Sequence, residues 1–210
     1  MTAVKVEIDT KQWDLAKAVL TFGEKQVTKT LEKAIHIEAQ YLAKMVKQRI
    51  RTGPFQALSP LTIAARKLNG FGGTKPLNVS GELKGAVTVT PAGVGGLEKF
   101  VGVLKTVRAQ TSFKARGGPG AYLANIGQIM EEGRTILIKV TPKMRKFLFG
   151  VLFKKGGRPT GASSGAMRTG ILVVHIPARP FIGPVFEEEG PKVVGRIGAR
   201  LYKAFEAARD

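Results

Sequence analysis

The sequence predicts an α+β fold: an antiparallel or mixed sheet flanked by a long N-terminal helix and a C-terminal helix, with two long basic loops at about 105–120 and 154–170. Three observations predict it. Apolar residues recur at helical spacing near both ends, they alternate or run together in short stretches between, and two segments rich in Gly, Lys and Arg fit neither period. At 210 residues and 43% hydrophobic the chain can bury one core, so a single domain over 1–210 is expected.

Taken in order, Val4, Val6 and Ile8 alternate with polar residues as in a short half-buried strand, and Asp9 or Thr10 can cap a first helix over Lys11–Phe22 that Gly23 breaks. From Glu24 to about Arg51 the positions Val27, Leu31, Ile35, Leu42, Val46 and Ile50 lie mostly three, four or seven apart, which predicts a long one-sided helix ended by Thr52-Gly53-Pro54. Ser59 as cap and Pro60 at the first position predict a small helix to Leu68, and Gly70-Phe71-Gly72-Gly73 excludes regular structure beyond it. Alternation at Val87, Val89 and again at Phe100–Leu104 predicts a hairpin of strands 86–90 and 99–105.

The remaining elements are a short helix over Ala121–Met130, a strand over Thr135–Val140, a helical turn or two over Pro142–Phe149 and an apolar strand over Ile171–Ile176. A final helix runs from Pro184 to Ala208, with Val194, Ile197, Leu201 and Phe205 on one face and Glu187, Glu188 and Glu189 in its first turns. Ser80-Gly81-Glu82-Leu83 reads as a helix start, with Ser80 capping, Gly81 relaxing the backbone and Leu83 returning to the core.

The 34 Lys and Arg against 15 Asp and Glu leave +19, a field that favours polyanions or acidic protein surfaces. The charge is concentrated: from Lys99 to Phe181 there are 15 basic residues and two acidic ones, Glu131 and Glu132, a net +13. The absence of Cys excludes disulfides and Cys-ligated metals. No basic start followed by an apolar run opens the chain, and no stretch of about 18 apolar residues occurs, so a cytosolic chain without a membrane span is expected.

Candidate chemistry is sparse. His36 and His175 fall in different elements with no carboxylate or hydroxyl at a diagnostic spacing, and no cluster has metal-ligand spacing. Glu131-Glu132 and Glu187-Glu188-Glu189 are adjacent carboxylates whose directions diverge on a helix, which suits solvation and dipole compensation better than acid–base work. Gly117-Gly118-Pro119-Gly120 lacks the Gly-Lys-Ser/Thr that a phosphate loop requires. No catalytic residue, metal or cofactor is expected.

Two segments carry a resemblance. Leu58-Ser59-Pro60-Leu61-Thr62 with Lys67, then Lys75-Pro76-Leu77-Asn78-Val79-Ser80-Gly81-Glu82-Leu83 and the strand to Thr90, is similar to the signature of the virion-morphogenesis, or tail-completion, family of Mu-like and related tailed phages. His175-Ile176-Pro177-Ala178-Arg179-Pro180-Phe181-Ile182-Gly183 resembles the motif that closes that family before its last helix. Val101-Gly102-Val103 and the stretch from Ala121-Tyr122 to Glu132-Gly133 fall where the family has a strand and a tyrosine helix, so the likeness spans roughly Gln48 to Glu188. The chain departs from the family pattern at the end of the Tyr122 helix and in the Arg/Lys-rich insertion of Thr141–Phe153.

The resemblance implies a structural virion protein of the neck, assembled in the host cytoplasm. It implies a homo-oligomer, a hexameric ring, with a portal-side adaptor or connector and a tail terminator or tail tube as neighbours. The basic loops would meet acidic partners or touch passing DNA through phosphate charge alone. Candidate interaction residues are Arg108, Lys114, Arg116, Lys154, Lys155, Arg158 and Arg168 in the loops, with Arg179 and Phe181 in the closing motif, either between subunits or as a clamp between strand and final helix. The alternative is a basic nucleic-acid-binding protein, motivated by the charge.

Overall fold

The computed structural model describes Trp13, Lys17 and residues 23–68, 70–93, 95–109, 121–142 and 171–207. Helices α1 (Glu24–Thr52), α2 (Pro60–Leu68) and α3 (Glu82–Ala86) come first, followed by strands β1 (Val87–Pro91) and β2 (Lys99–Val103). Helix α4 (Leu123–Glu132), strands β3 (Arg134–Lys139) and β4 (Ile171–Ile176), and helix α5 (Gly183–Glu206) complete the order. The fold is α+β, with the strands paired as two separate two-stranded sheets, β1 with β2 and β3 with β4. The expected strand over 4–8, the helix over Pro142–Phe149 beyond Pro142 and the 154–170 loop lie outside the described residues. Of the expected first helix, Trp13 and Lys17 are helical.

Contacts divide the chain into two compact units. The first comprises Met1–Met45, Thr88–Val101 and Val185–Asp210. Within it α1 turns inward Ala34, Ala39, Leu42 and Ala43, and also the carboxylate of Glu38, which is only 2% exposed. A buried charge is tolerated only with partners, and α5 supplies them. Arg196 Nε donates to Glu38 Oε1 at 2.6 Å, Arg200 lies 3.6 Å from Oε2, and the Arg196 guanidinium also sits 4.7 Å from the centre of the Tyr41 ring.

Glu189 completes the cluster, accepting from Lys192 at 2.9 Å and from Arg196 at 2.6 Å. The Lys192 and Arg196 hydrogen bonds hold the Glu189 carboxyl below the usual carboxylate range. The Glu38 hydrogen bond, foremost, raises Arg196 against the opposing effect of burial.

That polar stripe corrects the expected face of the last helix. Val194 is 79% exposed. It lies five residues beyond Glu189, about 140° round the helix, and Glu189 with Arg196, not Val194, occupies the inward side. A reading of apolar residues alone places the stripe wrongly when ion-paired side chains line it. A second correction concerns the helix dipole: α5 begins at Gly183, its first turn contains no acidic residue, and Glu187–Glu189 start too late to serve its N-terminus.

The second unit comprises Val46–Val87 and Gly102–Pro184. Its buried side chains include Val46, Ile50, Leu77, Leu83, Val87 and Phe181. Ala86, Ala109 and Leu123 form a further cluster, with Val103, Val107 and Ile126 against it. β3 and β4 pair antiparallel from Arg134 opposite Ile176 to Lys139 opposite Ile171. One face of this ladder carries Thr135, Leu137 and Lys139 with Ile171, Val173 and His175, and all six are exposed, Leu137, Ile171 and Val173 by 60–67%. None of the helices among the described residues is long and apolar enough to cross a membrane.

Candidate functional site

The second unit holds a cavity of about 720 Å³, and the two motif segments converge on it. Its wall is built from Gln56–Ser59, Thr62 and Arg66, from Leu77 and Val79–Leu83, from one side of α4, and from Val174–Pro177 with Arg179. Each stretch is fixed locally for a physical reason. Ser59 caps α2, its Oγ accepting from Thr62 N at 3.2 Å and sharing a 2.8 Å hydrogen bond with the Thr62 hydroxyl. Arg66, two turns further on, donates to the Lys75 carbonyl at 2.8 Å and so ties the helix to the following segment.

That following segment reverses tightly. Leu77 adopts φ 57, rare for a branched side chain, with Asn78 N bonded to the Pro76 carbonyl at 2.7 Å, and its side chain is buried. Gly81, at φ 79, takes the cap position of α3. The expected cap at Ser80 is therefore corrected: the left-handed turn falls at the residue that tolerates it. Leu83 then enters the core as expected.

The closing motif is anchored by Glu131. Its carboxylate accepts from the backbone N–H groups of Phe181 at 2.9 Å, Ile182 at 3.2 Å and Gly183 at 2.7 Å. These include the unsatisfied donors at the start of α5, where negative charge is favoured. Arg179 N adds a bond to the Met130 carbonyl at 2.6 Å. Gly133, at φ 74, ends α4, and a Cβ there would come within 2.8 Å of Ala178 N. Strand, motif and helix are thus locked by one carboxylate, one carbonyl and one glycine.

Of the sequence-predicted residues, Arg179 and Phe181 are brought together here and are buried, at 7% and 0% exposure. The clamp between strand and final helix is the geometry found. Arg108 is exposed on a bridge opposite Tyr122, its guanidinium 4.2 Å from the ring centre and hydrogen-bonded to the phenol oxygen. Lys114, Arg116, Lys154, Lys155, Arg158 and Arg168 lie outside the described residues. His175 shares a 3.1 Å hydrogen bond with Thr135, its cross-strand neighbour, and His36 is exposed on α1.

Sequence reasoning missed Arg66 and the anchoring role of Glu131. Pro180-Phe181-Ile182-Gly183 enters a helix with no side-chain acceptor of its own, which is a signal that an acceptor must come from elsewhere. Nothing in the spacing says that it is Glu131. Burial, followed by repulsion from Arg179, lowers the Arg66 pKa, which places the two guanidiniums within electrostatic reach. The hydroxyls of Ser59 and Thr62 are engaged with each other and His175 Nδ1 with Thr135, whereas the arginines keep donors to spare.

No family model, no curated protein and no solved structure matches the chain. Among the described residues no group of three or more His, Asp or Glu could hold a metal ion. Fold and site define an α+β protein whose distinguishing feature is an amphipathic cavity bearing two arginines.

Proposed function

We propose that the chain is a structural, non-enzymatic subunit of a tailed-phage neck, a tail-completion or connector protein that packs into a homo-oligomeric ring and joins the filled head to the tail. The observation that carries this reading is the convergence of the two motif segments. Residues 58–83 and 175–183 resemble the phage family separately, and in the second unit they wall one cavity and share one set of anchors. A chance likeness in two distant stretches gives no reason for them to meet.

The uncovered apolar face of β3 and β4 supports a subunit role, because a two-stranded sheet is marginal alone and gains from packing against something else. The net +19 supports acidic neighbours, and DNA in a lumen can be met without sequence readout. Ring closure requires one face of the subunit to complement another. The test is negative-stain microscopy of particles assembled without the protein: separated heads and tails are expected, and normal infectious virions would refute the proposal.

A further inference from the structure

The cavity of the second unit contains an uncompensated positive charge. Arg179 is nine-tenths buried, and its Nε donates to the Gln56 carbonyl at 3.2 Å, but its two terminal nitrogens find no acceptor among the described residues. Arg66 faces the same space with one terminal nitrogen on the Lys75 carbonyl. The ion pairs formed among the described residues gather on Glu38 and Glu189 in the first unit, and Glu82, the one acidic residue of the cavity wall, is ion-paired with neither arginine.

A buried guanidinium without an anion is costly. Here the cost is compounded by a second guanidinium that repels the first. The rest of the wall is mostly apolar, with Leu58, Leu83, Ile126 and Val174 among its members.

We infer that this cavity is a docking site for an acidic peptide segment of a partner protein, which places a carboxylate between Arg66 and Arg179 and an adjacent apolar side chain against the leucine-rich wall. Planar guanidiniums suit a carboxylate through forked hydrogen bonds, and the volume suits a few side chains. A nucleic-acid phosphate would satisfy the charge. Its flanking sugars would leave the apolar wall uncovered, so the peptide is favoured. The inference stands on the cavity and does not depend on the phage reading.

The experiment uses the full chain and two fluorescent acetylated peptides, one alternating Leu with Glu and one alternating Leu with Gln. Anisotropy reads affinity, and the Nε–H resonances of Arg66 and Arg179 read location. The Glu peptide should bind roughly tenfold more tightly than the Gln peptide, the value of one lost charge-assisted hydrogen bond, and should shift both resonances. Arg66→Gln should lose most of that preference with its thermal midpoint retained, and Arg66→Lys should lose less.

Lys203→Gln removes the same charge from an exposed position of α5 and should change nothing, which separates the site from the overall +19. Since Arg179→Gln can unfold the unit, Arg66 carries the test. Equal binding of the two peptides, no binding of either, an unaltered Arg66→Gln, or displacement of the Glu peptide by oligothymidylate would overturn the inference. None of these outcomes bears on whether the protein belongs to a virion, which the particle experiment decides separately.

Discussion

Replacing Glu131 by Gln isolates the anchor that holds the closing motif. The carboxylate accepts from three consecutive backbone N–H groups, at 2.7 Å from Gly183 and 2.9 and 3.2 Å from Phe181 and Ile182. The amide keeps one acceptor oxygen and turns an NH2 group towards donors. Losing one charge-assisted hydrogen bond costs about 1.5–3 kcal/mol and losing the charge at the helix N-terminus costs about 0.3–2 kcal/mol, so a loss of about 3 kcal/mol is expected. Glu132→Gln is the control. Its neighbour is exposed and touches only Gln128, at 3.2 Å, so its effect should stay within about 0.5 kcal/mol. Urea denaturation followed by circular dichroism gives both values, and amide exchange at Phe181–Gly183 locates the change. If the two variants are equally stable, Glu131 does not anchor the motif and the account of the clamp fails.

Two glycines of the same region should respond oppositely. Gly133→Ala puts a Cβ 2.8 Å from Ala178 N in a left-handed conformation and should destabilise by about 2–3 kcal/mol or more, whereas Gly127→Ala meets Phe181 and Leu83 at 3.6 and 3.8 Å within a helix and should gain up to about 1 kcal/mol. Thermal melts of the two variants check this, and a tolerated Gly133→Ala would contradict the close approach. Glu189 should confer a pH dependence. Its folded pKa is depressed by Lys192 and Arg196, so its contribution is full above the unfolded carboxylate value and is lost as pH falls through the folded one. Stability of the wild type should therefore exceed that of Glu189→Gln at about pH 7 and approach it below about pH 3, and a difference independent of pH would refute the assignment.

The sequence made the regular elements legible because their signals are local. The three-to-four spacing from Val27 to Ile50, Ser59 with Pro60, and the alternation about Val87 and Phe100 each report one helix or strand, and each element formed within a few residues of its expected bounds. The two motif segments were legible too, and Leu83 and Phe181 fell in the core. What stayed hidden depends on pairs distant in the chain. Glu38 reads as a solvated residue until Arg196, 158 positions later, covers it. Glu131 reads as half of a solvated acidic pair until the backbone of 181–183 arrives, 50 to 52 positions on. The sheet expected between the helices divides into two ladders, because strand alternation reports a buried face without naming the neighbour.

The central claim is that this polypeptide is a building block of a virus particle. Quantitative peptide mass spectrometry of purified particles of the phage that encodes it tests that claim most directly. The account predicts a fixed copy number of about six per particle, as one closed ring requires. Its complete absence from purified infectious particles would contradict the account.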